Sequence, residues 1–190
     1  MEIKGHTLEF YEDDHIYLCD GMILSSITQI LAKKFGKKYD SVPSAVLKAR
    51  AEEGTRVHSA IERLCKTGEM TDLPEVKNFL FLKKAFGFEV LNNEVPVILF
   101  QRDEPIACGR LDLVIRKDGE TGIADIKRTS VLDRDYLFYQ LNLYRIAYEQ
   151  CYDEEISFLA GLHLKEKQRR FVPIPINAPL AWELVHKEEI

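Results

Sequence analysis

The Asp118-Gly119 dipeptide constrains this fold more than any other pair of residues in the chain. It lies between two stretches in which apolar and polar residues alternate. One is Gly109-Arg110-Leu111-Asp112-Leu113-Val114-Ile115; the other is Gly122-Ile123-Ala124-Asp125-Ile126-Lys127-Arg128-Thr129. Alternation over such lengths reads as β-strand, and Asp-Gly is the strongest short-range signal for a two-residue hairpin loop. A loop centred there places Asp112 opposite Asp125 on one sheet face, with Cβ atoms roughly 5 Å apart. Like charges that close destabilise the pair unless something compensates them. A divalent cation held by both is a natural compensation, because hard cations prefer carboxylate oxygens. The strand period of two also puts Lys127 on the face of Asp125. The plain alternative is the solvated face of a half-covered sheet, where charges are ordinary. Against it stand the depletion of Asp from strand interiors and the apolar neighbours Leu111, Leu113, Ile115, Ala124 and Ile126. Two carboxylates and a lysine converging on one hairpin outline a metal-dependent hydrolytic site.

The remaining composition bounds the setting. A chain of 190 residues, 46% apolar and 30% charged, is an ordinary globular domain with room for a sizeable core. Residues 1–190 are therefore read as one domain. No basic start with an apolar segment follows Met1, and no apolar run approaches the ~20 residues that span a bilayer. The expectation is a cytosolic protein with no membrane partner. Cys19, Cys65, Cys108 and Cys151 are far apart and form no CxxC pair, so zinc or iron–sulfur ligation is not expected, nor are disulfides. The net charge of −5 gives no global basic footprint for nucleic acid. Local clusters remain: Lys33-Lys34, Lys37-Lys38, Lys83-Lys84, Lys127-Arg128 and Lys165-Lys167-Arg169-Arg170. Each taken alone reads more simply as a solvated run.

The elements follow from punctuation. Leu8 to Tyr17 and Met22 to Leu24 form an opening hairpin within residues 1–26, turned at Glu12-Asp13-Asp14 and Asp20-Gly21. Ser25 or Ser26 caps a helix over Ile27 to Phe35, ended by Gly36. Pro43-Ser44 opens a longer helix, spanning 44–67, which Gly54 is expected to interrupt at a cost of roughly 1 kcal/mol. Val57, Ile61, Leu64 and Cys65 give its second half an apolar stripe. A helix over Pro74 to Phe86, a strand over Glu89 to Phe100, the central hairpin and a helix over Asp133 to Tyr152 follow. Strands over Ile156 to Lys165 and Arg170 to Ile176 and a helix over Pro179 to Lys187 close the chain. That order is α/β, a central mixed sheet flanked by helices.

Five ordered motifs now bear on function. Gly54-Thr55-Arg56-Val57-His58-Ser59-Ala60-Ile61-Glu62 is similar to a helical G-x-x-x-H-x-x-x-E motif, and Glu94-Val95-Pro96 to an E-x-P strand. Gly109 to Asp112 matches G-x-x-D, Asp125-Ile126-Lys127 matches D/E-x-K, and Gln140 to Tyr144 matches Q-x-x-x-Y. Together they resemble the PD-(D/E)XK nuclease superfamily, in the branch of RecB-like and lambda-type exonucleases; the opening hairpin with Ser25-Ser26-Ile27-Thr28 resembles phage-encoded members. The resemblance covers most of the chain, with residues 89–152 carrying the catalytic hairpin and its following helix. It implies a restriction-endonuclease-like core and Mg²⁺- or Mn²⁺-dependent hydrolysis of DNA, with one or two ions.

By that resemblance His58, Asp112, Asp125 and the Ile126 carbonyl would hold metal. Lys127 would position or deprotonate the attacking water and stabilise the developing phosphorane charge, with a pKa lowered by the neighbouring metal. Gln140 would serve catalysis; Arg110, Arg128, Thr129, Gln140 and Tyr144 would meet DNA; Glu62 and Glu94 would support the site. Bland alternatives stay open: His58 as a packed helical residue, Tyr144 as core, Glu94 as an exposed charge beside an edge proline. Asp stands at position 125 where Glu is commoner, and the cysteines that hold iron–sulfur in some members are absent. The implied partners are linear duplex or single-stranded DNA ends and a recombination or single-strand-binding protein, in a bacterial or phage-infected cytoplasm. A restriction- or repair-type endonuclease and an inactive DNA-binding module are the rival readings; oligomeric state is left open.

Overall fold

Both residues of the Asp118-Gly119 loop adopt positive φ, 53° and 86°, which gives the twist that a tight hairpin between right-twisted strands requires. In the computed structural model, which describes residues 1–11, 16–36 and 43–186, this hairpin joins β6 (Glu104–Lys117) to β7 (Glu120–Lys127). The register is the expected one, with Leu113 facing Ala124 and Ile115 facing Gly122. A second positive-φ turn, at Arg102-Asp103, joins β5 (Glu89–Gln101) to β6. The sheet is completed by β8 (Phe158–Lys165) and β9 (Gln168–Ile174), in the order β5-β6-β7-β8-β9. Only β7 and β8 run parallel, because α4 (Arg134–Tyr152) provides the crossover between them.

Helices cover both faces. On one, α4 packs with α1 (Ile27–Phe35) and α5 (Ala178–His186) over Leu111, Val114 and Ile123. On the other, α2 (Ser44–Thr67) and α3 (Pro74–Phe86) cover Leu113, Ile115, Ala124, Ile126 and Leu162. Burial on both faces accounts for the near-continuous apolar character of β8. A second sheet, β1 (Glu2–Ile3), β2 (His6–Tyr11), β3 (Ile16–Cys19) and β4 (Met22–Leu24), is an antiparallel meander. It joins the larger one where Cys108 N–H donates to Ser25 O at 3.1 Å. The chain is thus α/β, with one mixed and one antiparallel sheet flanked by helices. Among the described residues no helix is long and apolar enough to cross a membrane.

Local chemistry explains the helix limits. Ser26 and Gln29 form a reciprocal capping box on α1. Asp133 caps α4 through the Tyr136 N–H, and Gly87 ends α3 in the left-handed conformation. Gly54 departs from expectation: α2 runs through it unbroken. Its neighbours hold the helix, and a Cβ there would meet nothing within 4 Å. Phe86, at the end of α3, is exposed and stacks on Phe171 at 4.6 Å between ring centroids. The four cysteines are free. The turn at Glu12-Asp13-Asp14, the Lys37-Lys38 cluster and the end of the last helix at Lys187 lie outside the described residues.

Candidate functional site

Three neighbouring strands bring three carboxylates into one row. The β5–β6 register pairs Asn93 with Leu113 and Val95 with Leu111, which sets Glu94 opposite Asp112. The β6–β7 register sets Asp112 in line with Asp125, but the ladder stops at Leu113–Ala124. Beyond that point the Asp112 carboxylate takes over a strand's role: its Oδ2 accepts from the Ile126 N–H at 2.6 Å. Glu94 reaches the row through strained backbone, with φ of 50°, just past the irregularity between Val90 and Asn92. That left-handed conformation is uncommon outside glycine, and its concentration at functional sites is a general pattern.

From the other face α2 delivers His58. Its Nδ1 is 3.4 Å from Asp112 Oδ1 and its Nε2 is 3.0 Å from the Ile126 carbonyl. The ligand atoms of His58, Glu94 and Asp112 all lie within 4.8 Å of one another. Lys127 Nζ sits 2.7 Å from Asp125 Oδ2, a buried ion pair. Gln140 Oε1 is a buried acceptor without a donor. All of these side chains line one cleft of about 470 Å³, with Tyr144, Glu62 and Arg110. Three carboxylates and an imidazole, with the unpartnered Gln140 Oε1 beside them, fit a divalent cation; the carboxylates suit Mg²⁺ or Mn²⁺, and the nitrogen donor favours Mn²⁺.

The electrostatics are those of crowded negative charge. Burial pushes Glu94 up, Asp112 adds to it, Arg110 and His58 oppose, and the carboxyl titrates at about 7. Burial also raises Asp125, against the pull of Lys127. Asp112 resists burial because His58, Lys127 and the Ile126 N–H hold its ionised form, and its pKa is lowered. Burial disfavours the His58 charge, yet Asp112 and Asp125 win and raise it to about 9. The imidazolium thus sits against Asp112 and the Ile126 carbonyl, two of the expected metal ligands.

Several expectations need correction. Lys127 is expected below its usual pKa beside a metal; the protein's own groups act the other way, since burial pulls it down but Asp125 and Asp112 outweigh burial and raise it. Arg128 is not a free phosphate contact: it is paired with Glu53 and, through Nε at 2.7 Å, with the buried Glu75. Glu94 is no exposed edge charge; it is held by Arg110 Nε at 2.6 Å, and its side chain is 14% exposed. Tyr144 is core and cleft wall together, 4% exposed and pressed on Gly109, where a Cβ would lie 2.8 Å from its ring. Glu62 lines the cleft and pairs with Lys66 at 2.5 Å. Thr129 is exposed and lines the adjoining groove. Phe10, Tyr17 and Thr28 also line the cleft, and sequence reasoning missed them; the Arg110 guanidinium lies 5.0 Å over the Phe10 ring.

No family model matches the chain, and no curated protein matches it. Among solved structures, one similar chain is described as "Crystal structure of SSO0001", with a TM-score of 0.48 and 16% sequence identity. The alignment covers 85% of this chain and 72% of that one. A likeness at that level adds nothing to the reading of the site.

Proposed function

We propose that this protein is a Mg²⁺- or Mn²⁺-dependent deoxyribonuclease with a restriction-endonuclease-like core, related to RecB-like and lambda-type exonucleases. The observation that carries the reading is the convergence of His58, Glu94 and Asp112 ligand atoms within 4.8 Å, in the cleft that also holds the Asp125–Lys127 pair. Phosphodiester hydrolysis needs an activated water, neutralised phosphate charge and a stabilised leaving oxygen. A bound divalent cation supplies Lewis acidity and a more acidic water.

The chain's own groups supply the rest. Asp112, Glu94 and His58 would hold the cation, with Asp125 lining the same cleft. Lys127, 2.7 Å from Asp125, is placed to stabilise charge developing on the phosphoryl oxygens. The unpaired Gln140 Oε1 is an acceptor available to orient the attacking water. Arg110, fixed by Glu94 and lying over Phe10, presents a cation at the cleft mouth for an adjoining phosphate.

The test is incubation with linear, nicked and closed circular DNA, with Mg²⁺, Mn²⁺ or EDTA. Metal-dependent loss of linear DNA that spares closed circles supports an end-dependent nuclease. Cleavage of closed circles makes it an endonuclease. DNA left intact with either metal, by protein that binds it, reduces the chain to a binding module.

A further inference from the structure

A second pocket, of about 280 Å³, lies beside the loop between β7 and α4 and carries the charge signature of an anion site. Arg134 and Arg170 line it together with Ser130, Gln168 and His163, and its lining contains no carboxylate. In a chain of net charge −5 that is unexpected. Neither guanidinium has an ion pair among the described residues. With its amide oxygen facing Arg170, Gln168 accepts from Nε and Nη2 at 2.9 Å each. Arg170 is thereby oriented by a neutral group. His163 is 3% exposed, and its Nε2 is fixed 2.7 Å from the Thr129 carbonyl. Its Nδ1 is buried and has no partner. The β7–β8 register places His163 beside Lys127, so the pocket shares a strand neighbour with the metal cleft. Ser130 and Arg134 also border the groove of about 980 Å³ that runs along the N-terminal half of α2, and that groove meets the metal cleft at Ala51.

We infer that this pocket binds a non-scissile backbone phosphate of the strand whose neighbouring phosphate occupies the metal cleft. The inference rests on the nuclease reading. The two exposed guanidinium groups lining it suit a phosphate dianion or diester through charge-assisted N–H···O bonds, and Ser130 offers a further polar contact. Its role is positional: it fixes the register of the strand along the groove.

The experiment uses Lys127→Ala protein, disabled for turnover, and a fluorescent single-stranded oligodeoxynucleotide titrated at several salt concentrations. One phosphate contact contributes about 0.7 to the slope of log affinity against log salt on single strands. Arg134→Gln/Arg170→Gln in that background should lose about that much slope and bind roughly tenfold more weakly, with an unchanged circular dichroism melt. Arg134→Lys/Arg170→Lys should keep the slope, because the charge remains. An unchanged slope in the folded Gln variant overturns the pocket. The nuclease reading is judged separately, by metal-dependent hydrolysis of bis(p-nitrophenyl) phosphate by the wild type, a substrate too small to bridge cleft and pocket. If the wild type cannot hydrolyse it and the oligonucleotide never binds, the nuclease reading fails, and the pocket's assignment to a strand phosphate falls with it.

Discussion

Replacing Glu94 with Gln should make the metal-free protein more stable while crippling its response to metal. The side chain titrates at about 7 instead of 4.5, because burial and Asp112 outweigh Arg110 and His58. A carboxyl whose folded pKa is raised contributes stability that is fully present below its unfolded value and is lost as pH rises through the folded one. Glu94 therefore lowers stability progressively between pH 4.5 and about 7. At about 1.4 kcal/mol per tenfold change, the ionised side chain costs the fold about 3 kcal/mol at pH 8. Gln keeps the shape and a hydrogen-bond acceptor for Arg110 but removes the charge. The gain should be about 2–3 kcal/mol at pH 8 in EDTA, or roughly 4–12 °C in Tm for a chain of this size, and should vanish near pH 4.5. Excess Mn²⁺ should reverse the ranking, since a ligand stabilises the folded state in proportion to its affinity. Calorimetric or circular dichroism melts at the two pH values, with EDTA or Mn²⁺, make the comparison. A Gln variant that melts lower than the wild type at pH 8 in EDTA, or that gains equally at both pH values, refutes the electrostatic argument.

Three further outcomes follow from the site. Lys127→Ala should retain Mn²⁺ and DNA binding and lose at least a hundredfold in turnover, the scale of one electrostatic donor; near-normal turnover in a steady-state assay would reduce Lys127 to a structural residue. His58 must shed a proton to ligate metal, and Asp112 holds that proton to about pH 9, so Mn²⁺ affinity should rise with pH from 6 to 9 and binding should release protons, seen as a buffer-dependent calorimetric heat that His58→Ala removes. Gly109→Ala would put a Cβ 2.8 Å from the Tyr144 ring, so it should cost about 1–3 kcal/mol in a denaturant melt and lower activity by shifting a cleft wall; unchanged stability would mean the ring moves freely.

How much of this was legible depends on the range of each signal. The Asp118-Gly119 turn, the Ser26 cap and the glycine after α3 are local, and each acted as its chemistry dictates. Period two then carried the register from the turn as far as Leu113 and Ala124, the last pair of the ladder before Asp112 and Asp125. What was not legible depends on distant partners. Nothing near Arg128 in sequence reveals that Glu53 and Glu75 neutralise it. The strained backbone that turns Glu94 into the row disturbs no alternation pattern, so its rank among the ligands was understated. The raised pKa of Lys127 comes from two carboxylates acting together in a buried space, a sum that spacing does not show. Gly54 misled for the converse reason: a weak local propensity yielded to a helix that packs through Val57, Ala60 and Ile61.

The most direct test of the account is a Mn²⁺ titration by calorimetry of the wild type and of Asp112→Asn. Asp112 touches both His58 and the Ile126 N–H, and Asn keeps its shape while removing the charge on which a cation site depends. The account predicts saturable Mn²⁺ binding by the wild type and no measurable binding by a folded Asp112→Asn protein. Equal Mn²⁺ affinity in the two proteins would contradict it.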